Sequence, residues 1–522
     1  MNNLVSLATL LGLSSASVAA TFTVNTTSDV GSENCNGQAC SLRGAILAAN
    51  TTPELDTIAF NIPQSDPGFQ IPTQHWRISV GNNDLPVIQA PVVIDGYTQP
   101  GATANTLTPA QGGLNSVLKI EIHGTSGLGF IGLNLLGYSS AVGSTFRGLV
   151  IQEFRFSQIL LDGNAAHRVE GCYIGTDVRG QSVAFSNIGI NIRNGGSPQI
   201  GGLQPAQRNL LGSQLGSSIT GSAEEFNGIV IQGNLIGLNR QGTAALLNQQ
   251  NTTPAIWFVN PVRNSLIGGS EPNARNIISG NPRGAIEFRN SAENSGTRIE
   301  GNYIGTDFTG IHPIGNGYNI GTPRPSISLY NAPINAVNCN FTVGGVAQGQ
   351  ANLIAFGAGA GIAVSGCKAQ RMPFNRFLGN AGAPVDLGED GATPNDINDA
   401  DEGGNRLQNF PEITLPAAGS STLSYRVDST TLKAAYPITV YFYRAGCGGG
   451  SDALLTSTTI SAAQAQQTLL LDTSSLGLLF PLTAAAVDAD GNTSEFTPVL
   501  GEQLMRSGFE DSLAPLVPGT CQ

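Results

Sequence analysis

The stretch "VEGCYIGTDVRG" (169–180) returns as "IEGNYIGTDFTG" (299–310) and, altered at its Thr-Asp pair, as "IQGNLIGLNRQG" (231–242). The three copies begin 62 and then 68 residues apart. A second phrase follows each copy. It reads "QIGGLQPAQRNLLG" from Gln199, "LIGGSEPNARNIISG" from Leu266 and "TVGGVAQGQANLIAF" from Thr342. Two phrases in a fixed order define a repeat. Short runs of alternating apolar residues lie among them: "IGINIR" (188–193), "GIVIQ" (228–232), "AIEFRN" (285–290) and "GIAVSG" (361–366). Each has the length and period of a strand and is bounded by Gly, Asn or Ser. No amphipathic helix separates them. Strands that succeed one another about every 20 residues, joined by turns alone, predict the coils of a parallel β-solenoid, with about three coils in each unit. Propeller blades repeat at roughly 40–50 residues, which fits the spacing poorly.

The phrase itself divides into core and turn. Ile299, Tyr303 and Ile304 are the expected core-facing residues. Gly301 and Gly305 supply backbone conformations closed to other residues. Asn234 and Asn302 hold one position in two copies, and Cys172 holds it in the third. A small buried thiol is the plainer reading of Cys172; no activating base stands near it in sequence. Asp177 and Asp307 raise the question of an active-site acid. The middle copy answers it with Leu238-Asn239. An amide cannot exchange a catalytic proton as a carboxyl does, whereas Asp and Asn both suit turns. The aspartates are therefore expected to shape turns.

Composition narrows the class. Of 522 residues only 11% are charged, 67 are glycine, and the formal charge is −12. The isoelectric point is near 4.8. Such a surface repels phosphate backbones and anionic lipid, so nucleic acid is not an expected partner. An acidic polysaccharide would need a bridging cation or a local arginine patch. Residues 1–20 have the apolar run and small-residue ending of an export signal, with cleavage expected after Ala20. No other run has the ~18 apolar residues of a spanning helix, so the mature chain is expected to lack a transmembrane segment and to lie outside the cytoplasm. Three disulfides could form there from Cys35, Cys40, Cys339, Cys367, Cys447 and Cys521, in a pairing that sequence does not fix.

A solenoid needs covered ends. In "CSLRGAILAAN" (40–50), Leu42, Ala45, Ile46 and Ala49 form one helix face, with Ser41 placed as N-cap. This segment reads as the cap. The expected organisation is a cap with first coils over 21–100, β-helix repeats over 101–411, a β-sandwich over 412–500 and a tail over 501–522. The sandwich is expected because strands lengthen and turns fall every 10–20 residues after Asn405.

Cys40-Ser41-Leu42-Arg43-Gly44-Ala45 resembles the "CSLREA" motif of secreted bacterial right-handed parallel β-helix proteins, with Gly44 in place of the glutamate. The "IGG" and "ARNIISGN" words, the segment "NAGAPVDLGEDGATPNDINDADEGGNRLQNFPEI" (380–413) and "DADGNTSEF" (488–496) are also similar to that family. The resemblance covers most of the chain after residue 20. It implies an all-β, pectin-lyase-like right-handed parallel β-helix with a trailing antiparallel sandwich, exported and displayed at the cell surface or released. It brings no catalytic residues with it.

Candidate chemistry is sparse. A polysaccharide hydrolase needs clustered carboxylates, and a lyase needs a cation or neutralising groups with a base. Glu287, Arg289, Arg298 and Glu300 could supply such a patch, as could Glu153, Arg155 and Glu170. Salt bridges across coils are the plainer reading. The "Asp-Asp" and "Gly-His-Gly" words of polygalacturonases are absent. The acidic loop carrying Asp386, Glu389, Asp390, Asp396, Asp399 and Asp401 offers calcium ligands by type, though not with EF-hand spacing. A solvated acidic loop joining two domains is the plainer reading. The four histidines, His75, His123, His167 and His312, are scattered. The expected function is a non-enzymatic, adhesin-like module that binds polysaccharide or cell-surface glycan; the alternative is a polysaccharide lyase or glycoside hydrolase. Oligomeric state is left open.

Overall fold

The computed structural model describes residues 18–500 apart from 30–34, 36–38, 82, 126–129, 136, 138–140, 163–165, 184, 222, 248, 291–294, 319–320, 331–336, 417–419, 447–449 and 475–480. The expected leader before residue 18, the tail over 501–522, Cys447 and Cys521 lie outside the described residues.

Three sheets of short strands wrap one apolar core. A representative turn of the chain passes from Ile188–Arg193 to Gln199–Gly201, then Leu210–Leu211, and returns at Ile219–Gly221 beside its starting strand. The first sheet has ten strands, from Thr21–Val24 to Thr342–Val343. The second has nine, from Ile131–Asn134 to Val385–Leu387, and the third eleven, from Phe69–Gln70 to Arg376–Leu378. Their pairings are parallel except where Phe69–Gln70 meets His75–Val80. This is a parallel β-helix.

The coil count differs from the expectation. Val169 pairs with Ile200, Ile200 with Ile231, Ile231 with Ile267 and Ile267 with Ile299. Each repeat of the opening phrase is thus two coils, not three. The second phrase is the alternate coil in the same register. Alternating runs from different sheets share one period-two pattern, so counting them along the sequence overstates the number of coils.

Register explains the cohesion. Val169, Ile200, Ile231, Ile267, Ile299 and Val343 form one inward row, each no more than 2% exposed. Phe226, Phe258, Phe288 and Phe341 form another, with neighbouring ring centres 5.1, 5.7 and 5.1 Å apart. At the bend between the first and third sheets, Asn209, Asn234, Asn276, Asn302, Asn352 and Asn375 stack, each side-chain amide donating to the next at 2.9–3.0 Å. Cys172 sits one coil before this ladder, and its backbone N–H donates to Asn209 Oδ1 at 2.8 Å. Tyr303 departs from the expectation. Adjacent strand residues face opposite ways, so with Ile304 inside, Tyr303 lies outside the sheet under the Arg275 guanidinium, 3.9 Å from the ring centre.

The turn reading of the aspartates holds. Asp177 accepts the N–H groups of Gln181 and Ser182, and Asp307 those of Thr309 and His312. Asn239 does the same for Thr243 and Ala244 with its amide oxygen. Gly301 and Gly305 have φ of +71° and +90°.

Both ends are covered. Helix Leu42–Ala49 is capped by Ser41, whose hydroxyl accepts the Gly44 N–H at 3.1 Å, and its Leu42, Ala45, Ile46 and Ala49 join the solenoid core. At the other end, Glu412–Thr414, Thr422–Arg426 and Leu469–Asp472 form one antiparallel sheet. Ile438–Ala445, Ser451–Ile460 and Leu482–Val487 form a second. They share a core that includes Leu423, Tyr425, Val440, Phe442 and Ala484, which makes a small sandwich. It docks on the last coil, where Tyr443 donates to the Pro373 carbonyl and Asn492 and Thr493 accept from Ala369 and Met372.

Disulfides join Cys35 to Cys40 and Cys339 to Cys367. No helix among the described residues is long and apolar enough to cross a membrane.

Candidate functional site

The outer side of the third sheet is covered. Leu114 and Leu118, on the long excursion after Thr98, pack over Tyr173, Leu210, Leu235 and Ile277. Arg208, 2% exposed, fastens this excursion by donating to the carbonyls of Leu107, Gly112 and Gly113. Burial without a carboxylate partner pulls its pKa down to about 10.

The second sheet carries an open cleft of about 250 Å³ on its outer side. Register sets what stands there. Alternation turns Asn191, Thr220, Trp257, Glu287, Ser328, Ala363 and Asp386 outward, and each pairs with the next across the sheet. Glu287, Arg289, Ser328 and Tyr330 line the cleft, joined from its rim by Arg283, Arg324 and Glu389. Arg289 Nε donates to Glu287, and its guanidinium lies 6.0 Å from the Trp257 ring centre and 5.9 Å from that of Tyr330. The Trp257 indole also donates to Glu287, at 3.2 Å. Ser328 donates to Glu389 at 2.9 Å. Among the described residues, no carboxylate forms an ion pair with Arg283 or Arg324, and Arg324 Nε is buried without a hydrogen-bond partner. Three arginines against two glutamates give this cleft a positive balance in an acidic protein.

The expected patch does not assemble as one. Glu287 and Arg289 point outward together, as alternation around Phe288 requires. Arg298 and Glu300 belong to the first sheet, where they pair with each other at 3.1 Å. Thirteen residues suffice to carry the chain round the bend to the next face. Glu153, Arg155 and Glu170 do not converge either: Glu153 lies 3.4 Å from His123 Nε2, Arg155 is exposed, and Glu170 accepts from Gln207.

The acidic loop also divides. Glu389 belongs to the cleft, and Asp386 accepts the N–H groups of Asp390 and Gly391. Asp396, Asp399 and Asp401 alone converge, with one oxygen from each within 4.8 Å of the others. Asp399 is buried and satisfied by Ser429, Gln408 and the Asn409 N–H. Burial and the two neighbouring carboxylates push Asp401 up to about 6. Its Oδ1 has no hydrogen-bond partner. The donors are hard oxygens of the kind calcium takes, three toward its usual 6–8.

One cluster had no counterpart in the sequence reading. Glu121 is fully buried and accepts from His75 Nε2 at 2.5 Å, Arg77 Nε at 2.9 Å and Gln152 Nε2 at 2.6 Å. His123 Nδ1 stands 3.2 Å from its other oxygen. These hydrogen bonds hold the carboxyl well below its ordinary range despite burial. The alternation in "HWRISV" and "IEIHG" marks His75, Arg77, Glu121 and His123 as outward, but only the pairing of Arg77 with Glu121 brings the strands together.

Fold and site together define a parallel β-helix with a cation- and aromatic-lined cleft on one sheet face. No protein-family model matches the chain, and no curated protein matches it.

Proposed function

We propose that the protein is an exported, non-enzymatic module that binds glycan along the outer face of its second sheet, in the manner of an adhesin, with a preference for acidic sugars. The supporting observation is the cleft lined by Arg289 and Tyr330, with the Trp257 ring beside it on the neighbouring coil, 6.0 Å from the Arg289 guanidinium. Aromatic rings offer an apolar platform to a sugar ring, and the outward Asn191, Thr220 and Ser328 offer hydrogen bonds along the same line. Arg283 and Arg324 supply the arginine patch that an acidic saccharide needs on a protein of this charge. Export is supported by the two disulfides, which persist in oxidising compartments, and by the signal-like start of the sequence. The similarity to secreted "CSLREA"-type β-helix proteins agrees with this reading.

A hydrolase or lyase is the second reading, favoured by Glu287 and Glu389 in one cleft. Against it, both carboxylates are engaged within the protein, Glu287 accepting from Arg289 and Trp257 and Glu389 from Ser328. Calorimetric titration with uronate-containing and neutral oligosaccharides tests the proposal. Binding of the acidic series without product is the expected result. New reducing ends or unsaturated products would replace binding by catalysis, and no affinity for either series would remove the proposal.

A further inference from the structure

Asp56 begins the strand Asp56–Phe60 and is fully buried. One of its oxygens accepts the Ala20 N–H at 2.6 Å, and the other accepts the Thr52 hydroxyl. Among the described residues, no Arg, Lys or His forms an ion pair with it. A carboxylate removed from water calls for a compensating charge, and two neutral donors supply only dipoles. The atom best placed to carry that charge is the nitrogen of Ala20 itself. Within a chain it is an amide; at the start of a chain it is an ammonium.

The surroundings of Ala20 fit a chain start. Its carbonyl accepts the Thr57 N–H at 2.8 Å, and Thr21 then pairs with Thr57 as the first rung of the first sheet. Cleavage after Ala20, the position expected from the sequence, would remove both the donor to Asp56 and the acceptor for Thr57. Val18 is 78% exposed and Ala19 is also exposed, so the chain meets the fold only at Ala20. Ser17-Val18-Ala19 meets the requirement for small residues one and three places before a cut as well as Val18-Ala19-Ala20 does.

We propose that an export peptidase cuts between Ala19 and Ala20, and that the new α-ammonium of Ala20 forms a buried ion pair with Asp56. The step is a hydrolysis. Water adds across the Ala19–Ala20 peptide bond: its oxygen joins the Ala19 carbonyl carbon, which leaves as the terminal carboxylate of the leader, and the Ala20 nitrogen keeps the electron pair of the broken bond and takes both protons of the water, becoming an ammonium. Removal of the leader thereby completes the first coil. The inference rests on the export reading above, but the two fail differently.

Two measurements test it. Intact mass and N-terminal sequencing of protein collected from an exporting host should place Ala20 first. A chain starting at Thr21 overturns the inference and leaves export standing; a retained leader overturns both. The second measurement uses the purified mature chain with its α-amine free or selectively acetylated. Acetylation should lower Tm in the parent and have no effect in Asp56→Asn, which already lacks the charge. An equal shift in both proteins, or none in the parent, overturns the ion pair. Because acetylation alone is informative in the parent, the test survives even if Asp56→Asn folds poorly.

Discussion

The side-chain amide of Asn302 donates to the amide oxygen of Asn352 at 3.0 Å, while its own oxygen accepts from Asn276 at 3.0 Å. The asparagine amide supplies two donors and an acceptor in one plane, so each rung can give to the next rung and to a backbone carbonyl while it takes from the one before, and the ladder continues through six coils. Each member also donates to a backbone carbonyl of the preceding coil, as Asn302 does to Ile267 at 2.9 Å. Replacing Asn302 by Leu strands the side-chain and backbone N–H donors that Asn276 directs at its oxygen, and takes one of two donors from the Asn352 oxygen, in a dry interior. We expect a loss of about 2–3 kcal/mol, read from the denaturant midpoint. Asn302→Asp should cost more, because a carboxylate cannot donate to Asn352 or Ile267.

Cys172 stands where the ladder would have its next rung. It is 0% exposed, and burial pushes its thiol up to about 12. A thiol that is neither ionised nor accessible is inert. The folded protein should therefore not react at Cys172 with a thiol reagent at neutral pH, while the unfolded protein should. Rapid labelling of Cys172 in the native state, located by peptide mass mapping, would contradict this. Cys172→Asn should retain the fold, since the neighbouring coils already accommodate that side chain.

The ladder also shows what the sequence made legible. Asn234 and Asn302 stand in one phrase and Asn209 and Asn276 in the other, so the repeat is visible in the sequence alone. The cap was equally plain, because Ser41 and the Leu42–Ala49 face are local features. What spacing could not show was the number of residues between rungs, which varies from 31 between Ile200 and Ile231 to 44 between Ile299 and Val343. Loops absorb that variation at low cost, and the strands do not record it. The site was legible only in part for the same reason. Alternation puts Glu287 and Arg289 outward, but Arg283, Arg324 and Glu389 reach the cleft from bends and a distant loop, and Trp257 stands beside it on the neighbouring coil.

Asp401 predicts a pH dependence of the linker region. Its folded pKa, about 6, lies above the ordinary carboxyl value. Between about pH 4 and pH 6 the unfolded chain therefore gives up this proton more readily than the folded one. Stability from this group is greatest at acid pH and falls as pH rises through 6, where three carboxylates repel in one place. Asp401→Asn should flatten that fall in a Tm-against-pH series. A cation held among Asp396, Asp399 and Asp401 would cancel the repulsion as well, so millimolar calcium should flatten the parent's slope if it binds there and leave Asp401→Asn unchanged.

The cleft yields the sharpest functional prediction, because its parts contribute differently. Arg324 carries a buried, unpartnered Nε, so it brings a charge that folding has not already spent on a carboxylate. Arg289 is paired with Glu287, and its removal leaves Glu287 as an uncompensated negative group in the path of an acidic ligand. Arg324→Ala should weaken an acidic oligosaccharide about tenfold, equivalent to about 1.4 kcal/mol, and Arg289→Ala by more. Both losses should shrink as salt rises, since partly exposed charges are screened. Trp257→Ala should weaken acidic and neutral sugars alike, because a ring platform does not read charge. Arg298→Ala is the control: it faces outward from the first sheet, paired with Glu300, and should leave affinity unchanged. If Arg298→Ala and Arg324→Ala weaken binding equally, the ligand is held by diffuse charge and the cleft is not its site.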